Sequence, residues 1–548
     1  MNFLQSIKQF ISTPQFIWSF IAAIVILLFS FFAYYFFNAK NKKNVKAQIQ
    51  LWFPRIAIAV LLVLQAALLI YMLVASSRHY EVVSWTLTGL SLCAAIYIAS
   101  SHDRTAYKVL WIFLIVIFPV YGGLLYLITK PRLSARRLKN WQKANDLYQI
   151  CGDKLSEVEL KYPSILPQMK YLQQHADFPV FTNTRTKYLS PGEIAFENIK
   201  TALKKAKKYI FIEIFIIDRG AMWDETLKIL EEKVKEGVDV RVLYDDFGIF
   251  MLLPRNYHKT LIAKGIKCEV FNKVGPLFSV FQNYRDHRKI ISIDGEIAFT
   301  GGINIGDEYI NAIEKHGHWK DCAIEVSGQA AWSLTLMFLQ TWDVTARIQE
   351  DFKAFYPWGN KPCEIMTDGF VQPYADNPLN RKYVGENVYL QMINNAKKYL
   401  YITTPYLIID DTMVAALKLA AHSGIDVRII TPHKWDQWLV HMATRSYYRE
   451  LITAGVKVYE YTKGFIHAKT FVSDDTTATV GTVNLDFRSM YMNFECGVLL
   501  CGTKSVSEVK NDFDETLKIS EQITLESIKN HWLTRRFQDI LRAFAPLL

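Results

Sequence analysis

The chain has 548 residues, enough for several domains, and 51% of them are apolar, more than a soluble enzyme of this size needs. A formal net charge of +11 favours an anionic partner such as acidic lipid, nucleic acid or a phosphate-bearing substrate, with basic residues beside membrane helices accounting for part of the excess. The seven cysteines form neither a CxxC pair nor a zinc spacing, which points to buried or free thiols in a reducing compartment.

Four uncharged apolar runs come first, at 16–37, 56–75, 82–101 and 109–128. Each holds about 20 residues, which at about 1.5 Å per residue matches a hydrocarbon core of about 30 Å. They are expected to be transmembrane helices, making residues 1–130 a membrane anchor and the protein a multi-pass resident of the cell membrane. None carries an ionisable side chain in its interior, so anchoring is expected rather than transport. The basic clusters after the first run (Lys40, Lys42, Lys43, Lys46) and after the fourth (Lys130, Arg132, Arg136, Arg137, Lys139) pull the positive-inside rule in opposite directions. The large C-terminal part is expected in the cytoplasm, beyond a basic linker at 131–185.

From residue 186 apolar runs alternate with amphipathic segments, the pattern of an α/β fold. The pattern also repeats. ENIKTALKKAKKYIFIEIFIID (197–218) resembles ENVYLQMINNAKKYLYITTPYLIID (386–410), and EGVDVRVLYDD (236–246) resembles SGIDVRIITPH (423–433). Two copies of one unit are expected, at 186–355 and 376–520, joined by a connector at 356–375. The terminal stretch 521–548 reads as an amphipathic helix, either closing onto the catalytic domain or touching the membrane surface.

Both copies contain His, any residue, Lys, four residues, Asp, six residues, Gly, two residues, Asn. The first set is His287, Lys289, Asp294, Gly301 and Asn304, and the second His467, Lys469, Asp474, Gly481 and Asn484. On a predicted strand each His and Lys leave the same face about 6.6 Å apart. Two copies packed face to face would bring two imidazoles and two ammonium groups into one cleft suited to a phosphodiester. A neutral imidazole can attack phosphorus while a protonated one opposite gives its proton to the leaving alkoxide. The lysines, and Asn304 and Asn484 beyond their glycine corners, would hold the non-bridging oxygens. No metal or other cofactor is required.

Asp294 and Asp474 are poor partners for their own histidines. An extended strand puts each roughly 23 Å away and on the opposite face, so a turn role is expected at Asp294-Gly295 and Asp474-Asp475. Asp321 in HWKDCAIEV and Glu495 in NFECGVLL are better placed to fix the imidazole tautomers.

These motifs resemble the phospholipase D superfamily, marked by two HxKxxxxD motifs in a duplicated α/β fold around one shared active site. NYRDHRKIISIDGEIAFTGGINIGDEYI, HWKD, TPYLIIDD, AAHSGIDVRIITP, GFIHAKTFVSDD, GTVNLDFRSMYMNFE and the terminal APLL narrow the resemblance to bacterial cardiolipin synthases, from about residue 105 onward. The resemblance implies a catalytic set of His287, Lys289, Asp294, His467, Lys469 and Asp474. It implies that His287 is the nucleophile, that His467 is the acid and base, and that a carboxylate downstream of each histidine supports it. The implied reaction joins two phosphatidylglycerols into cardiolipin and glycerol, with these membrane lipids as partners and no nucleic acid. A hydrolytic phospholipase D, or a transferase using another alcohol, is the alternative. Leu407, Ile409, Lys320 and Ala545 depart from the family's usual Phe, Pro, Arg and Ser. The DxxDGxxAR motif of the metal-dependent route from CDP-diacylglycerol is absent from the sequence.

Overall fold

The structure is a computed structural model describing residues 78–101, 104–118, 122–123, 126, 154–249, 252–273, 284–359, 363, 365, 369–528 and 532–547. It divides into two units, one comprising residues 1–132 with 274–282 and the other 133–273 with 283–548. The expected spans 16–37 and 56–75 lie outside the described residues.

In the first unit, the helices Arg78–Ala99 and Thr105–Ile117 pack on each other around Ile98, Ile115 and Tyr126. Trp85, Leu90, Leu92, Ile96, Val109, Phe113 and Val116 face outward. Within the expected 109–128 run the second helix is interrupted at Phe118, because Phe118 precedes Pro119 and the residue before proline is driven out of the helical region, while residues 122, 123 and 126 beyond it are again helical. Among the described residues no helix is long and apolar enough to cross a membrane.

Among its described residues the second unit contains 19 strands, β1 to β19, most of them in two sheets. The first repeat supplies β1 (Thr184–Leu189), β2 (Tyr209–Ile214), β3 (Asp239–Asp245), β4 (Lys267–Phe271), β5 (Ile290–Ile293), β6 (Ile297–Gly301), β7 (His318–Lys320) and β8 (Ala323–Gly328). The second supplies β9 (Phe370–Asp376), β10 (Tyr399–Thr403), β11 (Leu407–Ile408), β12 (Asp426–Pro432), β13 (Lys457–Tyr461), β14 (Gly464–Ile466), β15 (Thr470–Ser473), β16 (Thr477–Gly481), β17 (Leu485–Asp486) and β18 (Glu495–Cys501), with β19 (Ser520–Ile523) at its edge.

Strand order in the first sheet is β1-β8-β6-β5-β2-β3-β4, and in the second β9-β18-β16-β15-β10-β12-β13-β19. The first seven positions therefore correspond one to one. In both, β2-β3-β4 or β10-β12-β13 run parallel and the motif hairpin is antiparallel to them. The duplication read from the sequence is a duplication of sheet topology.

Between the sheets runs the helix Gln329–Ala346, buried without a break from Ala330 to Trp342 and packed against β5 and β8 of one sheet and β9 of the other. A helix apolar on all sides is stable only when covered on all sides, which this position provides. The corresponding Lys504–Lys518 helix packs on β15 and β16 of its own sheet and on β1 of the first. Residues 155–161 and 166–174, in the stretch expected as a linker, form two helices, and the second buries Met169 and Leu172. Gln168 of that helix donates to the carbonyl of Val388 in the second repeat.

Candidate active site

The His-x-Lys tripeptides were expected on strands, but β5 begins at Ile290 and β15 at Thr470, so both lie in the extended segments just before. The reason is where their backbones are bonded. His287 N–H donates to the carbonyl of Phe494, and His467 N–H to the carbonyl of Lys320. Each tripeptide is thus tied to the opposite repeat, the first through the Asp286–Phe494 bridge and the second through the parallel pair β7–β14. The two motifs meet where the sheets meet.

The carboxylates are crossed in the same way. His287 Nδ1 lies 2.9 and 3.0 Å from the two oxygens of Glu495, and His467 Nδ1 lies 2.7 Å from Oδ2 of Asp321. The resemblance implied a carboxylate downstream of each histidine within its own motif region, and the structure corrects that pairing. Asp321 lies between β7 and β8, directly after the β7–β14 pairing, and Glu495 opens β18 directly after the Asp286–Phe494 bridge, so each carboxylate sits at a contact with the opposite repeat and faces that repeat's histidine, not its own.

Glu495 is held in turn by the hydroxyl of Thr482 and by Asn493 Nδ2 at 3.3 Å. The equivalent of Thr482 in the first repeat is Gly302, where an added Cβ would stand 2.0 Å from Oδ1 of Asp321. A shorter carboxylate against a glycine and a longer one against a threonine are the two solutions the repeats have reached.

Both histidines, both carboxylates and both motif lysines are buried: His287 and His467 are 9% and 7% exposed, and Asp321 and Glu495 not at all. Burial lowers the pKa of both imidazoles, with Lys469 pressing on each of them and the facing carboxylates opposing. Burial resists ionisation of Asp321 and Glu495, yet the histidine and lysine partners win and hold both below the ordinary range. The site by itself therefore contains two carboxylates and two neutral imidazoles, each donating from Nδ1 and leaving Nε2 with a free lone pair.

Lys289 and Lys469 each donate from Nζ to the carbonyl of their own histidine. Burial pulls their pKa values down to about 7 and about 8, against Glu495 and Asp321 respectively as the leading opposing charges. Each lysine also lowers the other repeat's histidine, so the four groups share one electrostatic site. Such lysines gain by meeting an anion.

Asp294 and Asp474 sit elsewhere. Both occupy left-handed turns, at φ 53° and 56°. Asp294 accepts the N–H groups of Lys207, Lys208 and Tyr209 at 2.7 to 2.8 Å, and Asp474 those of Lys397, Lys398 and Tyr399 at 2.7 to 3.0 Å. The repeated Ala-Lys-Lys-Tyr of the sequence is the backbone seat for the repeated aspartate. That seat fixes the start of β2 and β10, the strands on which β5 and β15 pair.

Asn304 accepts from Ile216 N–H at 3.2 Å and donates to the hydroxyl of Tyr309 at 2.8 Å, so its amide is engaged within the protein. The Oδ1 of Asn484 is buried with no hydrogen-bond partner. Asp486 beside it is raised by burial, with the Ser489 N–H and the Asn484 amide working against the shift.

Sequence reasoning missed the walls. His467 stands among Trp319, Tyr309 and Phe465, with ring centroids 5.4, 5.7 and 6.0 Å away, whereas His287 has Phe215 at 5.1 Å. Trp319, Phe465 and Phe215 each lie within two residues of a residue or repeat segment already singled out, but an aromatic in a strand reads equally well as core. Thr482 carried the clearer signal, being the polar member of the Gly-Gly and Gly-Thr corners.

Comparison with known proteins gives two matches to the family description "Cardiolipin synthase, PLD-like domain", at residues 199–316 and 389–517. Residues 89–131 match "Phospholipase_D-nuclease N-terminal". A cardiolipin synthase of Halalkalibacterium halodurans is 36% identical, over 84% of this chain and 93% of that protein. Cardiolipin synthase 2 of Bacillus anthracis is 35% identical, over 85% and 91%. An uncharacterized protein of Streptococcus mutans is 42% identical, over 83% and 99%. The crystal structure of a phosphatidylserine synthase from Haemophilus influenzae superposes with a TM-score of 0.51 at 14% identity, covering 69% of this chain and 97% of that one, a likeness of fold.

Proposed function

The chain belongs to the cardiolipin synthase family with duplicated phospholipase D-like domains, and on that premise we propose how its cleft carries out phosphatidyl transfer. Nε2 of His287 attacks the phosphorus of one phosphatidylglycerol, and the bond to the glycerol headgroup breaks. His467, protonated once the anionic substrate is bound, gives its proton to the departing glycerol oxygen. It then takes a proton from the headgroup hydroxyl of a second phosphatidylglycerol, which displaces His287 from phosphorus. One phosphodiester is exchanged for another, so cardiolipin and glycerol form with no net proton change and no nucleotide.

Lys289 and Lys469 bear on the non-bridging oxygens, whose charge restores their full protonation. Asn484, whose buried Oδ1 is unmatched, is the better placed of the two asparagines to turn toward substrate. Asp294 and Asp474 act as positioning residues through their turns. The observation that carries this reading is the crossed pair of His–carboxylate contacts, which leaves one nucleophilic nitrogen from each repeat in a single buried site.

The membrane location rests on the four apolar runs and on the apolar faces that Arg78–Ala99 and Thr105–Ile117 turn outward. In this reading the anchor is multi-pass and the catalytic part is cytoplasmic. The test is mass spectrometry of products from the purified chain given phosphatidylglycerol in detergent with EDTA, beside His287→Ala and His467→Ala. Cardiolipin and glycerol from the wild type alone are expected. Phosphatidate as the main product would identify a hydrolase instead.

A further inference from the structure

Outside the cleft, the helices Trp438–Thr453 and Trp532–Ala543 enclose a cavity of about 250 Å³. Arg445 and Arg449 line it from the first helix, Arg535 and Arg542 from the second, together with the acids Glu450 and Asp539. None of these residues belongs to the motifs.

Both acids already have cationic partners. Glu450 is bonded to Lys418 at 2.8 Å and Arg542 at 2.7 Å, and Asp539 to Arg536 at 3.3 Å. Arg542 also lies over the Tyr447 ring, 4.4 Å from its centroid. Arg445 is ion-paired through Nε with Glu460 Oε1 at 3.3 Å, an oxygen that also accepts from Tyr448, on a carboxylate that also contacts His433, which leaves the terminal guanidinium nitrogens of Arg445 outside that pair. Among the described residues Arg449 and Arg535 have no carboxylate partner. Two guanidiniums without a carboxylate partner and a third paired only through its Nε thus line, from two helices, an opening too small for a drug-sized molecule, which needs about 300 Å³ or more.

Like charges held together around a cavity repel unless an anion lies between them, and the planar guanidinium matches a phosphate with two parallel donors. We propose that this cavity is a second binding site, separate from the cleft and independent of the transfer chemistry, for a phosphate group clamped by Arg445, Arg449 and Arg535. Trp532, Leu533 and Ile540 are exposed on the same helix, so the phosphate can be that of an anionic phospholipid headgroup as well as a free ion.

The test is arginine-specific labelling of the full-length chain in detergent with phenylglyoxal, read by peptide mass spectrometry. Its arms contain inorganic phosphate, phosphatidylglycerol micelles, phosphatidylcholine micelles, or chloride at equal ionic strength. Arg449 and Arg535 are expected to label several-fold more slowly with phosphatidylglycerol than with phosphatidylcholine or chloride. Equal protection by inorganic phosphate identifies the free ion as sufficient, and protection by the lipid alone identifies the headgroup. Equal labelling in all arms overturns the site.

As a second arm, Arg449→Gln with Arg535→Gln should weaken protection of Arg445 about tenfold for each charge-assisted hydrogen bond removed. The double variant should keep turnover on short-chain phosphatidylglycerol. Protection of Arg445 unchanged in that variant equally overturns the proposal.

Discussion

Nδ1 of His287 lies 2.9 Å from Oε1 of Glu495, a residue 208 positions further along the chain and in the other repeat. With the reciprocal contact between His467 and Asp321, this makes neither repeat complete without its neighbour. Each half contributes a nucleophilic ring to one pair and a carboxylate to the other.

The crossing sets which variants should behave alike. Glu495→Gln should resemble His287→Ala in abolishing phosphohistidine formation, and Asp321→Asn should resemble His467→Ala in slowing departure of the headgroup. Losses on the order of 10²–10⁴ in turnover are expected, the scale for a misoriented catalytic imidazole. A phosphodiester with a p-nitrophenol leaving group needs no acid, so it should rescue Asp321→Asn in single-turnover release and leave Glu495→Gln inactive. Rescue of Glu495→Gln instead would reverse the two roles.

The lysines make substrate binding depend on pH. Their pKa values of about 7 and about 8 belong to the site without substrate, and a bound phosphodiester favours the protonated forms. Binding should therefore take up protons near neutrality, and affinity should fall as pH rises past 8. Calorimetry of a non-cleavable phosphonate analogue, in buffers of different ionisation enthalpy, measures the uptake. Binding with no proton uptake between pH 7 and 8.5 would contradict the lowered values.

The same burial costs stability. Lys289 is protonated in the unfolded chain up to about pH 10.4 but in the folded chain only up to about 7. Its cost is therefore full below pH 7 and fades as pH rises from 7 toward 10. Lys289→Met should be inactive yet melt at a higher temperature than the wild type at pH 6.5, with the gap narrowing at pH 9. A variant that melts lower at both pH values would show that the ammonium is stabilised by its neighbours.

Asp294→Ala and Asp474→Ala should act on folding. Each removes the acceptor for three backbone N–H groups, and a net worth of roughly 1.5–3 kcal/mol per charged hydrogen bond predicts a loss of several kcal/mol. Molecules that still fold should keep most of their turnover. Denaturant melts with activity normalised to the folded fraction separate this from a chemical role, since a catalytic aspartate would lower turnover with the melt unchanged.

Much of the fold was legible in the sequence because its signals are local. Helix and strand periodicities and the repeated Ala-Lys-Lys-Tyr are each set by contacts within a few residues or an adjacent strand. Duplication made them readable, since one motif at identical spacing in two units has little chance of being accidental. The 109–128 run shows the limit: hydropathy measures an apolar stretch, while the proline inside it decides where the helix is interrupted.

What the sequence determined by itself is the chemical inventory: two histidines, two lysines and two carboxylates in a repeated α/β frame, suited to phosphodiester exchange. What only the tertiary structure decided is who serves whom. Strand pitch and side-chain alternation prescribe which face a residue takes within its own sheet. They carry no information on how two sheets meet. That is settled by the packing of the Gln329–Ala346 helix between the sheets and by the β7–β14 pair, which bring Asp321 to His467 and Glu495 to His287.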